Sequence, residues 1–181
     1  HSGMLNADPA SLDMGADRGR WSNDCGIPPE AKLILKSCYS PKDQKASYAV
    51  WGDSKGEAIF YGLAREAVNQ NAPRWMMIGN AIPMSGDIPR LSGRNANKNN
   101  YVLDALLKNA DLKAVMLAPA ARSIFSLGEV YSKADLDASP LFEEGLLGVG
   151  NAIVALEKAG KQVIFLVDHP GFPDPKSCIS G

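Results

Sequence analysis

The chain has 181 residues, the size of a single domain, and 45% of them are hydrophobic, as in an ordinary globular protein. Its formal net charge is −1 and no basic block occurs, which argues against nucleic acid or an anionic membrane surface as a partner. The sequence shows neither an apolar run long enough to span a bilayer nor a signal-peptide pattern. Because His1-Ser2-Gly3 is typical of an expression-tag remnant, these patterns leave the compartment open.

We interpret residues 1–45 as a tag remnant and a cysteine-containing leader, and residues 46–181 as an α/β domain. Cys25 and Cys38 lie in this leader, which is rich in loop-forming residues. They form a short-loop disulfide if the protein is exported, or remain two buried thiols if it is cytosolic. Cys178 has no obvious partner, and the cysteine spacing fits no zinc site. Residues 31–38 read equally well as a strand or a helical turn, and residues 39–45 read as a polar turn.

Four apolar runs predict strands, and helical patterns lie between them. The strands are Ser47–Trp51, Arg74–Ile78, Leu112–Ala118 and Gln162–Val167. The last is nearly all apolar, which predicts burial on both faces. The helices cover residues 57–70, 100–110 and 140–159, and Gly160 is expected to end the third. This alternation predicts a parallel sheet covered by helices on both sides, with long loops at 79–99 and 119–139.

Two of the helices carry enough apolar residues to predict a buried stripe. In the first helix the expected stripe is Ala58, Ile59, Gly62, Leu63 and Ala67. In the long third helix it is Leu141, Leu146, Val149, Ile153, Val154 and Leu156.

Ser54 follows the first predicted strand and a Gly-Asp turn, and it begins a helix. A strand, a tight glycine turn and a helix N-terminus together present a hydroxyl where free N–H groups stabilise an anion. This arrangement is typical of a nucleophile, but a helix-capping serine at an ordinary strand–helix junction fits the same pattern.

Three stretches in this order resemble a known family. They are Gly52-Asp53-Ser54 with Cys38 upstream, the strand Val115 to Arg122 ending in Ala-Arg, and Phe165 to Cys178 with Asp-x-Pro, Asp-Pro and Cys. Together they resemble the SGNH (GDSL-like) hydrolase family. The similarity is greatest to the extracytoplasmic SGNH domain of acyltransferase-3 polysaccharide O-acetyltransferases.

The resemblance implies a flavodoxin-like, three-layer α/β/α fold and an acetyl-serine intermediate on Ser54. It implies a polysaccharide acceptor, a fused or associated acyltransferase-3 membrane domain as acyl donor, and a periplasmic or other extracytoplasmic location. It implies neither a cofactor nor a metal. Two alternatives remain open at this stage. One is a free-standing carbohydrate or lipid O-acyl esterase, and the other is a catalytically inactive, SGNH-like glycan-binding module.

The resemblance also assigns site residues. Ser54 is the expected nucleophile, and its backbone N–H is one oxyanion donor. Gly86 is the expected second donor, with Gly79 as its competitor. Arg122 lies where the wider family has a donor Asn, and it is either an oxyanion or substrate contact or a structural ion-pair residue.

Three departures from the family pattern affect this expectation. Lys55 stands where the fused domains usually have His, and Ser123 stands where an aromatic residue commonly follows Ala-Arg. The Asp-x-x-His motif that supplies the catalytic acid–base pair does not occur in the sequence. We therefore expect that pair, with a final strand and helix, after Gly181. His169 is either a substitute base or a loop residue, the second being favoured, and Asp168 is expected to cap a turn.

Overall fold

A mixed sheet of six strands organises the part of the chain that the structure, a computed structural model, describes: residues 21–32, 35, 37–79, 81–86, 88, 94–128 and 131–167. The strands are β1 (Trp21–Ser22), β2 (Ser37–Pro41), β3 (Ala46–Gly52), β4 (Arg74–Gly79), β5 (Ala114–Ala118) and β6 (Gln162–Phe165). Their order across the sheet is β1-β2-β4-β3-β5-β6. The four strands predicted from the sequence are therefore confirmed, and β3 lies at the centre of the parallel part.

Helices cover both faces of this sheet. They are α1 (Pro29–Lys32), α2 (Ser54–Asn69), α3 (Arg94–Lys108), α4 (Ala121–Phe125), α5 (Lys133–Asp137) and α6 (Phe142–Lys158). Helix α3 begins earlier than the predicted residue 100, and the expected loop at 119–139 contains α4 and α5. Gly160 follows the C-cap residue of α6 with φ of 75°, as predicted.

Alternation along the strands explains the three layers, because successive side chains point to opposite faces. On β3, Val50 packs with Phe60 and Ala64 of α2. Its neighbour Trp51 packs in the opposite cluster. The same cluster includes these residues of β4, β5, α3 and α6: Ile78, Leu117, Leu106 and Leu156. The predicted three-layer α/β fold is therefore confirmed.

Strands β1 and β2 lie within residues 1–45 and extend the sheet with antiparallel pairs. The prediction of a polar turn from residue 39 is wrong at its start, because β2 continues through Pro41. Cys25 and Cys38 form a disulfide with a Cα–Cα distance of 6.0 Å. Closing a loop of this length stabilises a fold by about 3 kcal/mol in the chain-entropy model.

Strand β6 differs from its predicted burial. Its residues are mostly exposed, and Ile164 and Phe165 are 37% and 41% exposed. The reason is position, because β6 has a neighbour on one side alone within the described part of the chain. An apolar run does not reveal whether its strand lies at a centre or at an edge.

The predicted stripes of α2 and α6 are also wrong in part. The residues that α2 buries are Gly56, Phe60, Ala64 and Ala67, and those that α6 buries are Gly145, Gly148, Val149, Ala152 and Leu156. Leu146 and Val154 are instead 49% and 47% exposed. Both helices bury small residues, and the two buried glycines of α6 face α4 and the segment after β4. A stripe of large apolar residues therefore does not mark the buried side of either helix.

Candidate active site

The turn from β3 into α2 carries the candidate nucleophile. The N-cap of α2 is Asp53, whose Oδ1 accepts a 3.0 Å hydrogen bond from the Lys55 N–H. The interpretation of Ser54 as the capping residue is therefore wrong, since its neighbour caps the helix. The Ser54 side chain is exposed in the first turn, and no hydrogen bond to it is found among the described residues.

Asp53 also joins this turn to the segment after β5. Its Oδ2 accepts hydrogen bonds from the Ala120 N–H at 2.8 Å and from the Ser123 hydroxyl at 3.1 Å. With the cap bond, three donors satisfy one carboxylate. Asp53 therefore stabilises the turn, and Ser123 helps to hold the two segments of the site together.

Gly52 is required by a close approach of two strands. A β-carbon at this position would overlap the backbone carbonyl of Ala118 at the end of β5. A β-carbon on Gly56 would lie 3.1 Å from the same oxygen. These two glycines therefore allow the first turn of α2 to lie directly against the end of β5.

Arg122 lies in α4 between Ala121 and Ser123 and is half-buried. Its neighbour Ser123 donates a hydrogen bond to Asp53, so Arg122 belongs to the segment that contacts the Ser54 turn. The backbone carbonyl of Arg122 accepts a 3.1 Å hydrogen bond from the Leu127 N–H, which closes the end of α4.

Gly86 lies in the segment after β4, and its φ of 106° is a backbone conformation that favours glycine. This segment is bonded to α6: the Ser85 N–H donates to Gly148 at 2.9 Å, and the Asn151 amide donates to the Ser85 carbonyl at 3.2 Å. A β-carbon on Gly86 would overlap the Asn151 amide. The conformation at Gly86 is therefore fixed from the α6 side.

The three candidate site segments share one edge of the sheet. Gly52 at the end of β3 lies opposite Gly79 of β4 and Ala118 of β5. The segment after β4 packs through Met84 with Ile124 of α4, the helix that follows β5. This contact brings the segment after β4 to the helix that follows β5, and both follow strands that end at the edge that carries Ser54. Gly79 is buried at the end of β4, whereas Gly86 lies in the segment that follows this strand.

Several predicted residues lie outside the described part of the chain: His169, Asp168 and Cys178. Within the described part, no group of three or more His, Cys, Asp and Glu side chains is arranged to bind a metal ion. The same residues contain no helix long and apolar enough to cross a bilayer.

One cluster beside the site was not predicted from the sequence. Glu57, one turn after Ser54, accepts hydrogen bonds from Tyr39, Tyr61 and Ser37. An acidic residue in the first turn of a helix was the available signal. Two of its partners, Ser37 and Tyr39, come from β2, which the sequence did not identify as a strand.

The candidate site thus consists of an exposed serine at a strand–helix turn of a three-layer α/β fold. The model of the family described as "SGNH domain (fused to AT3 domains)" matches residues 21–180. The chain therefore belongs to this family, as the resemblance of its motifs predicted. No curated protein and no solved structure gives a significant match to the chain.

Proposed function

We propose that the chain is a serine acyltransferase domain that O-acetylates a cell-surface polysaccharide through an acetyl-Ser54 intermediate. The observation that supports it best is the division of roles in the β3–α2 turn. Asp53 caps the helix and fixes the turn, and this leaves the neighbouring hydroxyl exposed at the helix N-terminus. A serine needed for capping would not be available for chemistry.

The proposed reaction has two transfers. In the first, the Ser54 Oγ attacks the acetyl carbonyl of the donor, its proton passes to a general base, and the donor's leaving group departs with a proton. In the second, the base takes the proton of a sugar hydroxyl, the sugar oxygen attacks the acetyl-serine, and the Ser54 hydroxyl is restored.

Each transfer passes through an oxyanion, which needs hydrogen-bond donors. The Ser54 N–H lies in the first turn of α2, where backbone donors have no partner within the helix. We assign the second donor to the Gly86 N–H. Arg122 is assigned to the oxyanion or to the substrate, because α4 brings it to the segment that contacts the turn.

The described residues contain no histidine, so the proposal places the general base outside them. His169 or a histidine of the larger AT3-fused protein would take this role. The AT3 domain is the proposed source of the acetyl group, which places the reaction on the extracytoplasmic side of a membrane. The disulfide fits such an oxidising compartment.

Two other functions use the same fold. A free-standing esterase would pass the acetyl group from Ser54 to water instead of a sugar. A catalytically inactive glycan-binding module is favoured by Lys55 in place of His and by the lack of an Asp-x-x-His motif in this sequence.

Labelling with a serine-directed phosphonate tests the proposal, with the modified peptide mapped by mass spectrometry. We expect labelling at Ser54 that is lost in Ser54→Ala and unchanged in Ser47→Ala, a control at the other end of β3. The test is made on this chain and on an AT3-fused form. If neither form is labelled at Ser54, both enzyme functions are rejected in favour of the binding module.

An acetyl donor then separates the two enzymes. With polysaccharide present, an acyltransferase yields O-acetylated sugar in a Ser54-dependent manner. An esterase yields free acetate at a rate that the polysaccharide does not change.

A further inference from the structure

Three hydroxyl groups converge on the carboxylate of Glu57, which is half-buried in the first turns of α2. Its Oε1 accepts hydrogen bonds from Tyr39 at 2.9 Å and from Tyr61 at 3.3 Å. Its Oε2 accepts one from Ser37 at 3.2 Å. Hydrogen bonds to a charged group are stronger than those between neutral groups, so the cluster fixes the carboxylate firmly.

Glu57 is directly linked to the turn that carries the candidate nucleophile. Its N–H donates to the Asp53 carbonyl at 3.0 Å and closes the first turn of α2. Ser54 is three residues earlier, and residues three apart are neighbours on one helix face. A restraint on the Glu57 side chain is therefore a restraint on the turn that contains Ser54.

Strand β2 carries two of the residues that restrain the Glu57 side chain. Ser37 and Tyr39 are two residues apart on this strand, so their side chains lie on the face toward α2. Cys38, between them, packs in the cluster on the opposite face and is bonded to Cys25. Strand β2 is thus fastened on one face by the disulfide and presents the two hydroxyls from the other.

The register of the strands places the Glu57 cluster close to the β3–α2 turn. Ser37 lies opposite Gly79 at the end of β4, and Gly79 lies opposite Gly52 at the end of β3. A β-carbon on Gly79 would lie 3.1 Å from the Cβ of Ser37. The cluster therefore lies at the same edge of the sheet as the candidate site.

We propose that Glu57 is a positioning residue that fixes Ser54 by tying the first turn of α2 to the disulfide-fastened strand β2. The proposal rests on the assignment of Ser54 as nucleophile. It goes beyond that assignment because it gives Glu57 a role of its own. Glu57 joins α2 to β2 and takes no part in proton transfer.

The state of the cluster has a signature that does not depend on catalysis. Burial, and then the hydrogen bond with Tyr39, raises the pKa of Tyr61 well above its usual value, and the Glu57 charge adds to this shift. Removing the carboxylate is expected to lower the pKa of Tyr61, which tyrosinate absorbance measures.

The test compares Glu57→Ala, Glu57→Gln and a control, Glu66→Ala, in the whole chain. Glu66 lies on the same helix but is exposed and accepts from Gln70. We expect Glu57→Ala to slow phosphonate labelling of Ser54 by about tenfold to a hundredfold, the scale of a misplaced reacting group. Glu57→Gln keeps an acceptor oxygen and restores most of the rate, and Glu66→Ala leaves the rate unchanged.

Amide hydrogen exchange supplies the readout that does not need chemistry. The backbone amide at position 57 is expected to exchange faster in Glu57→Ala than in the wild type, and amides in the second half of α2 are expected to exchange as in the wild type. Tyr39→Phe removes one hydroxyl and leaves the carboxylate in place. It is expected to give a smaller effect in the same direction, and it replaces Glu57→Ala as the test if that variant does not fold.

Labelling of Glu57→Ala at the wild-type rate overturns the proposal even if its exchange is faster. If the wild type itself is not labelled, the proposed function fails, and exchange alone decides the positioning role. In that case an unchanged exchange rate of the backbone amide at position 57 in Glu57→Ala overturns the positioning role.

Discussion

The carboxylate of Asp53 accepts a 3.1 Å hydrogen bond from the hydroxyl of Ser123, a residue 70 positions further along the chain. The same carboxylate caps α2, so one side chain stabilises a helix start and joins two segments of the candidate site. We expect Asp53→Ala to lower the free energy of unfolding by about 2 kcal/mol, the upper range for a lost cap. Ser123→Ala removes one hydrogen bond and is expected to cost about 1 kcal/mol. Urea unfolding measures both.

Ser132→Ala is the control for the capping part alone. Ser132 caps the exposed helix α5 through a capping box, and that box makes no bridge to a second segment of the site. Its loss is expected to destabilise the protein less than Asp53→Ala does. Equal losses would show that the bridge to Ser123 contributes nothing.

Gly52→Ala tests the close approach of the β3–α2 turn to β5. A methyl group at this position overlaps the Ala118 carbonyl, a backbone atom that cannot move without shifting the strand. We expect a loss of about 1–3 kcal/mol, the usual cost of overpacking. The thermal unfolding midpoint and the rate of Ser54 labelling are both expected to fall.

Gly62→Ala is the matched control, since nothing lies within 4 Å of a β-carbon built there. Gly62 is an exposed position inside α2, where alanine favours the helix by about 0.5–1 kcal/mol. The two substitutions should therefore change stability in opposite directions. Destabilisation by both would contradict the packing argument.

The sequence predicts those features that depend on nearby residues. Strands β3 and β4 are apolar runs that end at glycine, and Gly160 ends α6 as a local signal should. The motif Gly52-Asp53-Ser54 lies in the predicted strand–helix turn. Local pattern was sufficient for each of these because neighbouring residues determine the backbone there.

Features that depend on distant partners escaped prediction. Strand β2 pairs with β4, whose residues come more than thirty positions later, so residues 37–41 gave no clear pattern. Ser123 departs from the family motif, and the sequence gives no sign of the hydrogen bond that its hydroxyl donates to Asp53. The exposure of β6 depends on its place in the sheet, which apolar composition does not reveal.

The ion pair between Asp43 and Arg74 should make stability depend on acid pH. Arg74 is 8% exposed and donates to Asp43 and to two backbone carbonyls, and its hydrogen bond to Asp43 lowers the pKa of that carboxyl. A lowered pKa contributes stability above the unfolded value of 3.8, and that contribution is lost as the pH falls through the folded pKa. Since Asp43 is 53% exposed, solvent screening reduces the effect.

We expect Asp43→Asn to cost on the order of 1 kcal/mol at pH 7 and progressively less as the pH falls below 3.8. Asp104→Asn is the control, because Asp104 pairs with Lys108 on the exposed surface of α3. Urea unfolding at several pH values should show a pH-dependent difference for Asp43→Asn alone. A constant difference would mean that the charge of Asp43 is not involved.

The exposed apolar residues of α6 and of the segment that contains β6 should promote self-association of the chain. Leu147 of α6 is 56% exposed and Val167 is 80% exposed, and β6 has one open edge within the described residues. Exposed apolar strand edges are known aggregation sites. We expect Leu147→Lys to reduce light scattering at high concentration without loss of stability. Leu156→Lys, at a fully buried position of the same helix, should unfold the protein instead.

The position of β2 in the sheet determines when it is able to fold during synthesis. Residues 37–41 leave the ribosome before β4, and the strand they pair with is complete only at Gly79. Until then the short strand β1 is the one described strand that β2 is able to pair with, while the thirteen-residue separation of Cys25 and Cys38 lets their disulfide form early. The disulfide therefore restricts the conformations of the N-terminal segment before β4, the strand with which β2 pairs, has been synthesised. Docking of β2 then brings Ser37 and Tyr39 to Glu57, so the edge that carries Ser54 is completed late.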